Sequence, residues 1–175
     1  IKYRLLNFIL KNYNPQKRFN FIYKTNYWKS SFTGSRSGRG SDLETTLKIR
    51  ESLNKFISDK NIKSILDIPC GDFYWMSKID LKQLIYTGAD IVEELVKNNN
   101  KKYKNSNINF LTLDITKDKL PNVDLIFSRD CLVHLDNDEI ISALKNIKKT
   151  ESNYFATTIF EKNFNNDTSK LSDNW

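Results

Sequence analysis

An open, mainly parallel α/β sheet of the Rossmann-like, doubly wound kind, with helices on both faces, is the fold class that this 175-residue sequence predicts. Two observations carry that expectation. Five short runs are apolar throughout instead of alternating, as strands covered on both faces are. Segments of helical periodicity separate them, as parallel crossovers require. A hydrophobic content of 39 % fits one domain with a core large enough to fold alone.

Residues 1–40 read as an N-terminal lid or arm, aromatic, basic and irregular. It opens on the short amphipathic pattern of Ile1–Lys11, continues through Tyr23, Tyr27, Trp28 and Phe32, and closes on a Gly/Ser/Arg run over 33–41. Ser41 stands three residues before Glu44, the spacing of a capping box, so a helix is expected to start there. Ile49, Leu53, Phe56 and Ile57 would form its buried stripe to about Lys60. The domain proper is placed at 41–175, with strands at Ser64–Ile68, Ile85–Ala89, Asn109–Leu113, Asp124–Ser128 and Tyr154–Ile159. Helices are expected near Tyr74–Ile79, Glu93–Lys104 and Asp138–Lys148.

Composition narrows the function classes. Charged residues make up 28 % of the chain and no run approaches eighteen apolar residues, so no membrane span is expected. Cys70 and Cys131 are too few and too far apart for a disulfide framework or a metal site, which fits a reducing cytoplasm. The net charge of +7 favours anionic partners without choosing among them.

The chemistry-bearing segment begins where the first strand runs into Asp67-Ile68-Pro69-Cys70-Gly71-Asp72-Phe73. In an open parallel sheet, ligands sit beyond the carboxyl ends of the strands, and Gly71 permits close backbone approach there. Asp90 ends the second strand 23 residues after Asp67 (90 − 67), near the offset at which a carboxylate meets ribose hydroxyls. Asp114 and Ile115 follow the third strand, an acceptor beside an apolar cover. Each aspartate alone would be an ordinary turn residue; three in register at successive strand ends form a site. The three-glycine spacing of nicotinamide enzymes is absent.

With these residues, the chain resembles the class I S-adenosylmethionine-dependent methyltransferases over roughly 41–159. The resemblance lies in Ile65–Asp72, Tyr86–Ile91, Phe110–Ile115 and Asp124–His134. It departs from the commonest pattern at Pro69 and Phe73, where glycine is usual. The resemblance implies that the cofactor is S-adenosylmethionine, leaving as S-adenosylhomocysteine, and that the first turn, with Asp67, Pro69, Gly71 and Asp72, faces its methionine part. Asp90 would hold the ribose, with Ile91 beside it in the cofactor site, and Asp114 and Ile115 the adenine. It also implies two further edge strands, so the domain is expected to be incomplete at its C-terminal edge, with Asn163–Trp175 stopping short of them. The Pro69-Cys70-Gly71-Asp72 turn resembles small bacterial methyltransferases of surface-polysaccharide precursors, capsular phosphoramidate among them.

The segment after the fourth strand holds the catalytic candidates. Methyl transfer is an in-line displacement, so the enzyme orients the nucleophile and a base removes its proton where there is one. His134, the only histidine, is the first candidate base, with a structural role as its alternative, and Asp130 is the second. Arg129 would hold an anionic group or pair with Asp67 or Asp72. Arg36 and Arg39 in the glycine-rich loop suit phosphate or carboxylate, and Trp28, Tyr74 and Trp75 would line a substrate cleft. The expected function is therefore methyl transfer to a small anionic acceptor, such as a nucleotide-linked phosphoramidate of capsule biosynthesis. RNA methylation and a noncatalytic binding subunit are the alternatives.

Overall fold

A computed structural model describes residues 13–29, 31 and 35–159. Ile1–Lys11, Phe32 and Asn163–Trp175 lie outside the described residues. The described chain runs α1 (Pro15–Lys24), α2 (Leu47–Asp59), β1 (Ser64–Asp67), β2 (Ile85–Asp90), α3 (Glu93–Tyr103), β3 (Ile108–Thr112), β4 (Leu125–Ser128), α4 (Asn137–Lys148) and β5 (Tyr154–Thr157). The strands form one sheet in the order β3-β2-β1-β4-β5, with every neighbouring pair parallel. Strand order reverses at β1, so the carboxyl ends of β1 and β4 flank the switch point where such sheets bind ligands.

Alternation along the strands divides the core between two faces. Ile65, Tyr86, Phe110, Leu125 and Phe127 pack with Leu53 of α2 and Val96 of α3. Leu66, Ile68, Ala89 and Ile126 pack with Ala143 and Ile147 of α4. None of the described helices is long and apolar enough to cross a membrane. Cys70 and Cys131 are free thiols, and burial pushes that of Cys131 up to about 12, so it stays protonated.

Four expectations need correction. The arm is not irregular throughout: Asn14 accepts a hydrogen bond from the Lys17 amide at 2.9 Å, and Pro15 opens α1 at the first position of the helix. The next helix does not start at Ser41, whose hydroxyl donates instead to the Ser37 carbonyl while residues 43–46 make turns. It starts at Leu47, where the Thr46 hydroxyl has turned back to the Asp42 carbonyl at 2.9 Å. Tyr74–Ile79 yields only the single 3₁₀ turn Met76–Lys78, with Trp75, Met76 and Ile79 buried in the core instead of lying along one helical stripe. The strand ends also shift by one or two residues, β1 closing at Asp67 and β5 at Thr157.

Candidate active site

Beyond the carboxyl ends of the strands lies a cavity with about 570 Å³ of open space, its mouth included. Four of the five strand ends contribute to its wall: Ile68 and Pro69 after β1, Asp90 and Ile91 at β2, Leu113 to Thr116 after β3, and Asp130, Cys131, His134 and Leu135 after β4. Helix α1 and its following turn close the remaining side with Pro15, Phe19, Tyr23 and Trp28.

At the first turn, Gly71 has φ +55°, a conformation in which a side chain is strained, and an added Cβ would collide with Ser37 Oγ. The loop before α2 is seated directly on this turn. The Ser37 hydroxyl accepts from the Asp72 amide at 3.0 Å and meets the Tyr23 hydroxyl at 2.9 Å. Asp72 itself accepts from the Ser35 hydroxyl at 2.9 Å and the Arg36 amide at 2.7 Å. Asp72 therefore anchors the arm and is not part of the cavity wall.

Asp67 is also placed away from the cavity. It follows Leu66 by one residue, so the two-residue period of a strand sends its side chain to the opposite face, where it accepts from Tyr86 Oη at 2.5 Å. Burial pushes its carboxyl up to about 7, partly offset by the Tyr86 bond and raised again by Asp90. Because the folded protein holds this proton more tightly than the unfolded chain, the stabilisation is full below pH 3.8 and lost as pH rises through 7. Asp67→Asn keeps a neutral partner for Tyr86 and removes that loss. The melting temperature of the variant is expected to gain on the parent between pH 6.5 and 8. That range lies above the pKa values of Asp90 and His134. Because the loss flattens above the folded pKa of about 7, the gain over that whole range is about 0.8 kcal/mol, or roughly 2–3 °C. A gap between the two proteins that stays constant with pH would contradict this.

Asp90 accepts from the Gly71 amide at 3.0 Å and the Val92 amide at 2.9 Å, binding the first turn to the end of β2. Burial raises its pKa to about 6 while these amides hold it down, so it is largely ionised at neutral pH. One oxygen of Asp114 accepts from the amide and hydroxyl of Thr116, and the other meets Lys117 Nζ at 3.2 Å. Ile91 and Ile115 lie beside these acids in the same wall.

After β4 the chain turns sharply, with Asp130 at φ +52° and its amide donating to the Thr158 hydroxyl at 2.9 Å. Arg129 pairs with Asp130 at 3.1 Å and lies 5.5 Å from the Trp75 ring centroid; its predicted partners Asp67 and Asp72 are not the ones it bridges. The imidazole of His134 packs against Trp28 with ring centroids 5.0 Å apart and against Phe19 at 6.3 Å. Burial first, and then the Arg18 cation, lower its pKa to about 4 against the opposing pull of Asp130, so it is neutral at pH 7.

Of the residues singled out in the sequence, the structure brings Pro69, Asp90, Ile91, Asp114, Ile115, Asp130, His134 and Trp28 to one cavity. It leaves Asp67, Gly71, Asp72, Arg129, Arg36, Arg39, Tyr74 and Trp75 off its wall. Trp75 is in the core. Arg36 is committed to Glu94 at 2.9 Å and the Tyr23 carbonyl at 2.7 Å, and Arg39 is exposed on the turn Arg39–Ser41. Pro15, Phe19, Thr116 and Leu135 also line the cavity, beyond the residues that the sequence singles out. A readable signal existed for Phe19: once Asn14-Pro15 is taken as a helix start, Phe19 and Tyr23 fall four apart on one face.

Residues 65–150 match the family described as "Methyltransferase domain". None of the curated proteins matches the sequence. Among solved structures, the DhpI-SAM-HEP complex aligns with a TM-score of 0.60 at 14 % identity, over 83 % of this chain and 67 % of that one. The N-methyltransferase NodS of Bradyrhizobium japonicum WM9, in complex with S-adenosylhomocysteine, aligns at 0.58 and 18 %, over 74 % and 67 %. The PH0226 protein of Pyrococcus horikoshii OT3 aligns at 0.54 and 19 %, over 67 % and 59 %. The chain thus spans about three fifths to two thirds of the length of these solved chains.

The sheet order and the strand-end cavity are those of a Rossmann-like fold. Residues 65–150, just under half of the chain, are thus similar to a methyltransferase domain, and the sheet has the fold of the solved methyltransferases named above.

Proposed function

We propose that this chain transfers the methyl group of S-adenosylmethionine to a small acceptor bound under helix α1. The observation that carries the reading is the convergence of Asp90 and Asp114, each beside an isoleucine, with the candidate bases His134 and Asp130 in one cavity wall. Asp90 would accept the ribose hydroxyls, Ile91 and Ile115 would cover the adenine, and Asp114 would take its amino group. Helix α1 and the turn after it serve as a cover over the site through Pro15, Phe19, Tyr23 and Trp28.

His134 is the group that meets the acceptor. A neutral imidazole with a pKa near 4 accepts a hydrogen bond well but a full proton poorly, so it orients a protic acceptor and takes the proton as the methyl bond forms. Asp130, whose charge is shared with Arg129, is the alternative.

The acceptor's charge is carried by the rim and not by the wall. The described wall holds three carboxylates, Asp90, Asp114 and Asp130, and no lysine or arginine. A small anionic acceptor, including a nucleotide-linked phosphoramidate of capsule biosynthesis, would have to meet exposed Arg39 at the arginine loop. The net charge of +7 and the composition of that loop are what support it. RNA is disfavoured because the lysines described on α2 and α3 include pairs with acids on their own helix, Lys55 with Asp59 and Lys97 with Glu93. The test is transfer of labelled methyl from S-adenosylmethionine into a fractionated pool of small metabolites and, separately, into RNA at rising salt. Label in an anionic small-molecule fraction, reduced by Arg39→Ala, supports the reading. Label in RNA that disappears steeply with salt would overturn it.

A further inference from the structure

Arg18 is a cation on α1 that is 2 % exposed, and it does not line the cavity although its neighbour Phe19 does. A buried guanidinium is tolerated where its donors find acceptors. Those of Arg18 reach the carbonyl of His134 at 3.1 Å and the carbonyl of Tyr13 at 3.0 Å, while the Glu139 carboxylate lies 3.9 Å away. That same carboxylate oxygen accepts from the Asp136 amide at 2.9 Å, closing the capping box of α4. The planar fork therefore spans the start of α1, the turn after β4 and the first turn of α4.

We propose that Arg18 is a positioning residue for His134, fixing from helix α1 the backbone of the turn that carries this imidazole and holding the ring against Trp28. The proposal rests on the function proposed above for its catalytic meaning, but its geometry does not. Phe19 and Trp28, which pack on the imidazole, belong to the same arm as Arg18. One element thus supplies both the clasp on the backbone and the wall on the ring. Without the clasp, the arm and the turn separate and water reaches the imidazole. The charges facing His134 are Asp130 from its own segment and Arg18 from α1, with Asp136 and Glu139 of α4 as counter-charges to Arg18. Losing Arg18 removes a repelling cation and the burial together, and both changes favour the imidazolium.

His134 is the only histidine, so its imidazole gives a single resolved NMR signal whose midpoint can be followed with pH. The parent is expected to titrate near pH 4. Arg18→Met, which keeps the apolar stem without the fork, should move the midpoint up by about one unit or more. Arg18→Lys, which keeps the charge but not the two-carbonyl grip, should fall between. In saturating cofactor, both variants should lower kcat more than they raise acceptor KM. A purely structural Arg18 would lower the melting temperature and move the midpoint only through the charge lost in Arg18→Met, so an Arg18→Lys protein that keeps the parent's midpoint overturns the proposal. Should Arg18→Met fail to fold, Arg18→Lys decides alone. Failure of the parent to bind S-adenosylhomocysteine, with the midpoint shift intact, would count against the methyltransferase reading and not against the clasp.

Discussion

His134→Gln is expected to lower kcat, measured with cofactor saturating, by about 100-fold while the melting temperature and cofactor affinity stay close to those of the parent. General bases contribute roughly 10²–10⁴-fold. The lower end applies here because burial pushes the imidazole down to about 4, which makes it a weak proton acceptor at neutral pH. Glutamine retains a polar side chain beside Trp28 and Phe19 but cannot take a proton. The same low pKa sets the pH profile: the parent's kcat should be level from about pH 5.5 to 8, and its acid limb should follow His134 near 4. Near-normal turnover by a folded His134→Gln protein would transfer the role to Asp130 or to an acceptor already ionised on binding.

Asp90→Asn is expected to weaken S-adenosylhomocysteine binding by about 10–100-fold, or roughly 1.5–3 kcal/mol, the range for a hydrogen bond to a charged group. The carboxylate already holds the Gly71 and Val92 amides, and asparagine can accept from only one of them while its amino group faces the other. The variant therefore loses both the ribose acceptor and part of the support for the first turn. Calorimetry on a cooperatively melting Asp90→Asn protein measures this. An unchanged dissociation constant would remove Asp90 from the ribose.

The central strands β1 and β4 were legible because they are short apolar runs buried on both faces, as Ile65–Leu66 and Leu125–Phe127 are, whereas the edge strands β3 and β5 leave Leu111 and Phe155 exposed. The three strand-end aspartates were legible as positions but not as directions. Asp67 and Asp90 end neighbouring strands on the same face, Asp67 pairing with Gly88, and Asp90 reaches the cavity only because its strand runs two residues further, while Asp67 stays with Tyr86. The arm was the least legible part. Its aromatic and basic composition conceals the start signal at Asn14-Pro15, and the partners that fix it are distant in sequence: Arg18 bonds the His134 carbonyl 116 residues away. Ser41 shows the opposite case, a local capping pattern overridden because the chain there is held by Ser37 and by turns around Asp42 and Thr46. Trp75 and Tyr74 were assigned to a cleft for being aromatic, but Trp75 packs on Phe127 with centroids 6.0 Å apart, inside the core.

Calorimetric titration of the chain with S-adenosylhomocysteine, alongside S-adenosylmethionine and NAD, tests the central claim most directly. The account predicts saturable one-to-one binding of the first two, weakened by Asp90→Asn, and no binding of NAD. Saturable binding of NAD with none of S-adenosylhomocysteine would contradict it.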